Sequence, residues 1–205
     1  MTDCSVRRQS GTRPPISEVL SRVLPERGIV LEVGSGTGQH ALQFARTMPD
    51  LIWARRANVT PDCLKSILAW LAVEEFPNVR PPVHLDVCAC PGRSILAAAL
   101  VCINLIHIAP WSATECPLVA AAHCRAAAAS CVFYGPFQRQ GRHTSPSNRS
   151  FDLLLRRQDP AWGVLGSPMT VSRLADGAGF DLLQSHEMPS NNLIVVFRKT
   201  RLGPD

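Results

Sequence analysis

Lysine is nearly missing from this chain. Lys65 and Lys199 are the only two, so arginine supplies almost all of the 21 basic side chains. The arginines are scattered, doubling only at Arg7-Arg8, Arg55-Arg56 and Arg156-Arg157, and aromatics make up just 6% of the residues. No basic stripe with interleaved rings forms, so the net charge of +5 is diffuse and nucleic-acid binding is not indicated. Long apolar runs are also lacking: the longest, Ile95 to Ile103, is too short to span a bilayer. The polar segment from Met1 to Pro15 has no apolar stretch after its arginines, which excludes a secretory signal and leaves a cytoplasmic, membrane-free location as the expectation. There is no Walker loop, no Gly-x-Ser-x-Gly elbow and no Cys-x-x-Cys pair. His84, Cys88 and Cys90 come nearest to a metal set, but Cys-Ala-Cys has the wrong spacing, so no metal is expected. The eight cysteines sit largely in apolar stretches (Cys63, Cys102, Cys131) and read as reduced core residues.

What is present is enough for one core. At 205 residues and 46% hydrophobic, the chain divides into a flexible segment over 1–14 and a single domain over 15–200. Ile16, Val19, Leu20, Val23 and Leu24 fall at helical spacing and predict a lead-in helix ending near Pro25. Strands are predicted over Ile29–Val33, Leu51–Ala54, Val83–Val87, Leu100–Ile108 and Cys131–Tyr134. Helices are predicted between them, over Ala41–Met48, after Thr60-Pro61-Asp62, and over Leu118–Ala129. A further helix over Thr170–Ala175 stops at Gly177-Ala178-Gly179. Phe180–Glu187 and Leu193–Lys199 are joined by five residues only, which suits an antiparallel hairpin and leaves no room for a crossover helix. The expectation is an α/β, Rossmann-like fold: a mostly parallel seven-stranded sheet ending in an antiparallel hairpin, with helices on both faces. Gly135 to Ser150, rich in Gly, Pro, Ser and Arg, reads as a long loop of the kind that often closes over substrate.

The densest signal is Val30-Leu31-Glu32-Val33-Gly34-Ser35-Gly36-Thr37-Gly38-Gln39-His40, a strand running into a tight glycine turn and then a helix. Glycines there let backbone N–H groups approach a ligand closely. A dinucleotide fingerprint needs Gly-x-Gly-x-x-Gly, but Gln39 holds the place of its third glycine. Gly34, Gly36 and Gly38 instead resemble the nucleoside turn of class I S-adenosylmethionine-dependent methyltransferases. A turn with no ligand is the plainer alternative.

Ligands of open parallel sheets lie at the carboxyl ends of the strands. The residues just beyond each strand resemble such a pocket: Gly34, Gly36 and Gly38, then Asn58 for ribose hydroxyls, Asp86 and Val87 near adenine, and Asn104. Glu32 precedes the turn, where it orients the turn or faces the methionine ammonium. His107, with a pKa suited to neutral pH, is the candidate catalytic base. Trp111, Tyr134 and Phe137 are candidate acceptor walls, and Asn148, Asn191 and Asn192 candidate acceptor contacts. Each of these residues also has an ordinary structural role available, as core, turn or loop support.

More distinctive stretches add to this. Asn104-Leu105-Ile106-His107-Ile108-Ala109-Pro110-Trp111, Tyr134-Gly135-Pro136-Phe137, Ser147-Asn148, Phe151-Asp152, Asp159-Pro160-Ala161-Trp162-Gly163 and Met188-Pro189-Ser190-Asn191-Asn192, with the glycine turn, make the chain similar to the DUF938 (UPF0585) family, which includes proteins of the methyltransferase-like 26 type. The resemblance runs from about Pro15 to Lys199. It implies a class I methyltransferase fold, S-adenosyl-L-methionine as cofactor and a small-molecule acceptor, without naming that acceptor. Three departures stand out. Asn58 replaces the usual acid after strand two, Leu96-Ala97-Ala98-Ala99 lacks the acid before strand four, and Arg125–Cys131 lacks a glycine-rich turn. They raise a second possibility, a non-catalytic scaffold with a degenerate cofactor site. A third, an NADP-dependent oxidoreductase, rests on Arg55-Arg56 after strand two and is opposed by Gln39 and the terminal hairpin.

Overall fold

The computed structural model describes residues 13–34, 39–57, 76–81, 83, 84, 88, 96–124, 126, 129–164 and 166–200. Helix α1 (Arg13–Val23) buries Ile16, Leu20 and Val23 along one face and ends ahead of Pro25, as the spacing predicts. Strand β1 (Gly28–Val33) runs to Gly34, and α2 (Gln39–Thr47) begins five residues later. Strand β2 (Leu51–Ala57) is longer than its apolar stretch, so Arg55 and Arg56 lie inside the ladder, paired with Glu32 and Val33 of β1. Of the expected third strand, Val83–His84 (β3) is described, paired with β2. The helix expected after Thr60 lies outside the described residues.

Strand β4 (Ala99–Ile103) is fully buried but shorter than the apolar run. The chain turns at Asn104, which adopts a left-handed conformation (φ 58°), and Leu105–His107 form one 3-10 turn. A second such turn, Trp111–Thr114, leads into helix α3 (Glu115–Ala122), which ends well before the predicted Ala129. Strand β5 (Ser130–Pro136) is buried throughout.

The stretch read as a long loop is largely ordered structure. Strands β6 (Gln138–Arg139) and β7 (Arg142–His143) form a small hairpin. Gln140 and Gly141 between them both have positive φ (51° and 73°), the conformation of a tight hairpin turn. Ser145 then caps helix α4 (Pro146–Gln158), its hydroxyl accepting from the Asn148 N–H at 3.2 Å with Pro146 in the first turn. Helix α5 (Pro168–Gly177) starts the same way at Ser167-Pro168. Strands β8 (Phe180–Met188) and β9 (Asn192–Lys199) close the chain as the antiparallel hairpin expected.

Among the described residues the main sheet has the order β3-β2-β1-β4-β5-β9-β8, six strands of five residues or more with Val83–His84 of β3 at one edge. Pairings from β3 to β5 are parallel, and β9 is antiparallel to both β5 and β8. Alternate residues feed two cores. Val30, Val101, Val132 and Val196 face α1 and α2, together with Phe44 and Trp53 (ring centroids 5.2 Å apart). Leu31, Cys102, Phe133 and Phe197 face α3 and α5, meeting Leu118, Ala121, Val171 and Ala175. Helices on both faces explain why β4 and β5 are continuous apolar runs. Among the described residues no helix is long and apolar enough to cross a membrane.

The cysteines need one correction. Cys102, Cys124 and Cys131 are buried and free, as read from their apolar surroundings, but Cys88 and Cys116 form a disulfide with Cα atoms 4.8 Å apart. Cys88 is exposed, in a short run between Asp86 and Pro91, so an apolar neighbourhood in sequence did not put it in the core.

Candidate functional site

Strand β1 has β2 on one side and β4 on the other, so chain direction diverges between β1 and β4. In open α/β sheets this switch point opens a crevice at the carboxyl edge. The first residue beyond β1 is Gly34, with φ +73°; a Cβ there would come within 2.8 Å of Leu105 Cδ1. Both backbone conformation and space therefore require glycine, and the turn after β1 lies directly against the turn after β4. Glu32, two residues earlier, is 1% exposed and pairs in register with Val101 of β4. Burial, with the Glu32 carboxylate nearby, holds the Cys102 thiol protonated far above its ordinary range. Gly36, Gly38, Asn58, Asp86 and Val87 lie outside the described residues.

Across the crevice the turn after β4 is anchored by backbone. The Asn104 N–H donates to the Tyr134 carbonyl (2.8 Å), and the His107 carbonyl accepts from the Gly163 N–H (2.9 Å). The His107 ring is inside the protein at 1% exposed, not at the pocket mouth. It meets the Phe137 ring edge-on, centroids 5.8 Å apart, and packs so closely on the β5 backbone that a Cβ on Gly135 would lie 2.3 Å from Nε2. Neither ring nitrogen has a hydrogen bond of ordinary geometry. Burial lowers the His107 pKa to about 4, outweighing the Gly163 backbone and the Asp152 charge, which both favour the proton. At neutral pH the imidazole is uncharged.

The remaining candidates are gathered by a polar network that the sequence pattern does not show. Asp152 of α4 is 6% exposed. Its Oδ1 accepts from the Val164 N–H (2.7 Å), its Oδ2 accepts from Arg156 Nε (3.0 Å), and His143 Nε2 of β7 lies 3.6 Å from Oδ2. The approach is tight enough that a Cβ on Gly163 would lie 2.5 Å from Oδ1. Gln138 ties the small hairpin to the same 163–166 segment, its N–H donating to Gly166 O (2.9 Å) and its Nε2 to Val164 O (2.7 Å). Trp111 lies on that segment from the other side, with its ring against Gly166. Asn148 is buried and spent on structure: Nδ2 donates to Thr144 Oγ1 (2.9 Å) and to the Asn191 carbonyl (3.0 Å). Asn192 Nδ2 donates to the Tyr134 hydroxyl (2.8 Å). Tyr134 and Phe137 are both buried, while Asn191 is exposed at a positive-φ turn.

The structure thus brings His107, Trp111, Tyr134, Phe137, Asn148, Asn191 and Asn192 to one side of the carboxyl edge, and Glu32 and Gly34 to the middle. Asp152, His143, Gly163 and Gly166 join them without having stood out as site residues by sequence pattern. Asp152, Gly163 and Gly166 sit beside Pro- and Gly-containing turns that close onto the site, a signal visible only once the turns are placed. A cavity of about 300 Å³ between Leu24–Arg27 and Met48–Leu51 opens at the amino ends of β1 and β2, the edge opposite this chemistry.

The model of the family described as protein of unknown function DUF938 matches residues 6–199. This chain belongs to the DUF938 family. Solved structures with the same fold include an O-methyltransferase family protein from Burkholderia thailandensis, with a TM-score of 0.75 at 14% identity over 91% of this chain and 56% of that one. The mitomycin 7-O-methyltransferase MmcR gives 0.73 at 13% over 90% and 53%. The S-adenosylmethionine-dependent methyltransferase SibL, in its apo form, gives 0.70 at 17% over 92% and 55%. At these identities the likeness is one of fold. The chain spans about half the length of these structures.

Proposed function

We propose that this DUF938 protein is an S-adenosylmethionine-dependent methyltransferase acting on a small or medium-sized acceptor, with a hydroxyl oxygen as the favoured target. The observation that carries it is Gly34: a glycine-only turn at the β1/β4 switch point, where an added Cβ would fill the space beside Leu105. The motif resemblance to the methyltransferase-like 26 proteins and the O-methyltransferases among its structural relatives support the same class.

The residues present fit the cofactor. When bound, it supplies a methyl group on a sulfonium, open to in-line displacement by a nucleophile. In this reading Gly34, with Gly36 and Gly38, lets the backbone approach the amino-acid and ribose parts, and the buried Glu32 provides negative charge beneath the ammonium. Asn58, Asp86, Val87 and Asn104 complete the nucleoside contacts. Trp111, Tyr134 and Phe137 exclude water from the acceptor side, which is most of what this chemistry asks of a protein. Asn148, Asn191 and Asn192 fix the rim of that wall. A histidine that holds its proton only below about pH 4 is a weak base. His107, packed on Phe137 and on the β5 backbone at Gly135, therefore supports the acceptor wall from inside as an uncharged ring.

Calorimetric titration with S-adenosylmethionine and S-adenosylhomocysteine tests this. Micromolar binding of both, with turnover of labelled cofactor on a cell-extract acceptor, is the expected result. Absence of binding at millimolar cofactor overturns the proposal and leaves a scaffold with a degenerate site.

A further inference from the structure

The Cys88–Cys116 disulfide joins two segments that the sheet holds apart. Cys88 comes four residues after β3, and Cys116 stands in the first turn of α3, beyond β4. In the strand order β3-β2-β1-β4 these two strands are three places apart. Neighbouring strands lie about 4.8 Å apart, so β3 and β4 are separated by roughly 14 Å. Yet the two cysteine Cα atoms are only 4.8 Å apart. The bridge therefore spans the two intervening strands, β2 and β1, from beyond the carboxyl end of β3 to beyond that of β4.

On the β4 side the cross-link is coupled to the acceptor wall. The turn immediately before Cys116 is Trp111–Thr114, and the Trp111 ring rests on Gly166. Cys88 is exposed and Cys116 half-buried, whereas Cys102, Cys124 and Cys131 are buried, with thiols that burial holds protonated. Among the described cysteines, then, the bridged pair is the one that a dissolved thiol can reach.

We infer that Cys88–Cys116 is a redox modification site that straps the crevice at the β1/β4 switch point and sets how tightly it holds a nucleoside cofactor; this rests on the methyltransferase reading above. The co-reactant is a small thiol–disulfide couple. A thiolate attacks Cys88 Sγ, the S–S bond breaks, and Cys116 leaves as a thiolate that takes up a proton. A second thiol then displaces Cys88 from the mixed disulfide. The protein disulfide is reduced to two thiols while two small thiols are oxidised to one disulfide. With the strap closed, Cys88 and the turn before Cys116 are tied together before ligand arrives, so less freedom is lost on binding. The oxidised protein is the tighter binder by about tenfold.

The test uses the full chain, oxidised or reduced in glutathione buffers of set ratio, with the linkage followed by mass of alkylated peptides. Each form is titrated with S-adenosylhomocysteine, and amide hydrogen exchange is read over Val83–His84 and Trp111–Ala122 without ligand. Expected are a bridged Cys88–Cys116 peptide, about tenfold weaker binding and faster exchange after reduction, and a Cys88→Ser/Cys116→Ser variant fixed at the reduced values in both buffers. Equal binding by the two forms, weaker binding by the oxidised form, or a variant that still responds to the buffer overturns the strap. If neither form binds, the cofactor reading falls by itself. Exchange then decides: redox-dependent protection that the double variant lacks supports the strap, and its absence overturns it.

Discussion

Around Gly34 the crevice is shaped by backbone, whereas around Asp152 it is held by side chains of α4 and β7 tied to the 163–164 segment. The glycine turn works because an element is missing: no Cβ, a positive φ, and Leu105 against the space left over. The opposite side works by addition. Asp152 joins α4 to the Val164 N–H and Arg156, with His143 alongside, and the 163 backbone reaches on to His107. A wall made of backbone can accept a ligand shared by many proteins, since it recognises little beyond shape and main-chain donors. A wall made of interlocked side chains presents particular groups in fixed places, which suits it to acceptor choice in the proposed reaction.

That contrast can be broken from either side. The largest effect is expected from Asp152→Ala, which strands the buried Val164 N–H and releases Arg156; urea unfolding should show a loss of about 3 kcal/mol. A loss below about 1 kcal/mol would mean that the network is not what holds this wall. Next comes the pH dependence of His107. Its pKa is about 4 in the folded protein against 6.5 for an ordinary histidine, so the unfolded chain binds more protons between these values. Stability from this group is complete above about pH 6.5 and falls by about 1.4 kcal/mol for each pH unit below it, until about pH 4. Unfolding curves at pH 7, 6 and 5 for the wild type and His107→Asn isolate the effect, because the variant lacks this slope. Equal slopes would show that the ring is solvated.

On the backbone side, Gly34→Ala should weaken S-adenosylhomocysteine binding by about tenfold while lowering stability by only about 1 kcal/mol, the usual penalty for a side chain at positive φ. Unchanged affinity would remove Gly34 from the site. The smallest effect is Tyr134→Phe, which deletes the acceptor of the Asn192 hydrogen bond. It should destabilise by about 1 kcal/mol and leave cofactor affinity alone. A change in affinity would place Tyr134 nearer the nucleoside than its partner on β9 implies.

The same contrast explains what sequence could show. Gly34 was legible as a position that needs glycine because the spacing of its motif is local; Gly36 and Gly38 lie outside the described residues. Most strands and the final hairpin were legible from apolar runs and from the length of the 188–192 link, whereas the order of the strands in the sheet was not. The errors came where composition continued past a geometric stop. Leu105–Ile108 extends the apolar run of β4, but Asn104 turns the chain first. The alanines after Ala122 prolong the helical pattern of α3, but the helix ends there. Gly135–Ser150 looked irregular because turn-forming residues were counted, although Gln140-Gly141 and Ser145-Pro146 specify a hairpin and a helix cap. Asp152 was unreadable as a hub because its partners are separated in sequence, and so was Cys88–Cys116, 28 residues apart.

Strand β9 has one more consequence. It follows β5 and β8 in the chain, yet it lies inside the sheet, between them. Lys199 at its end is buried, its ammonium donating to the carbonyls of Ala122 (2.6 Å) and Cys124 (3.2 Å) where α3 finishes. A nascent chain emerging from the ribosome therefore cannot close this sheet until residue 199 is free of the exit tunnel. Before that moment β5 and β8 both offer open hydrogen-bonding edges to any neighbouring strand. Synthesis therefore passes through a sticky interval that lasts until β9 is free to insert between them.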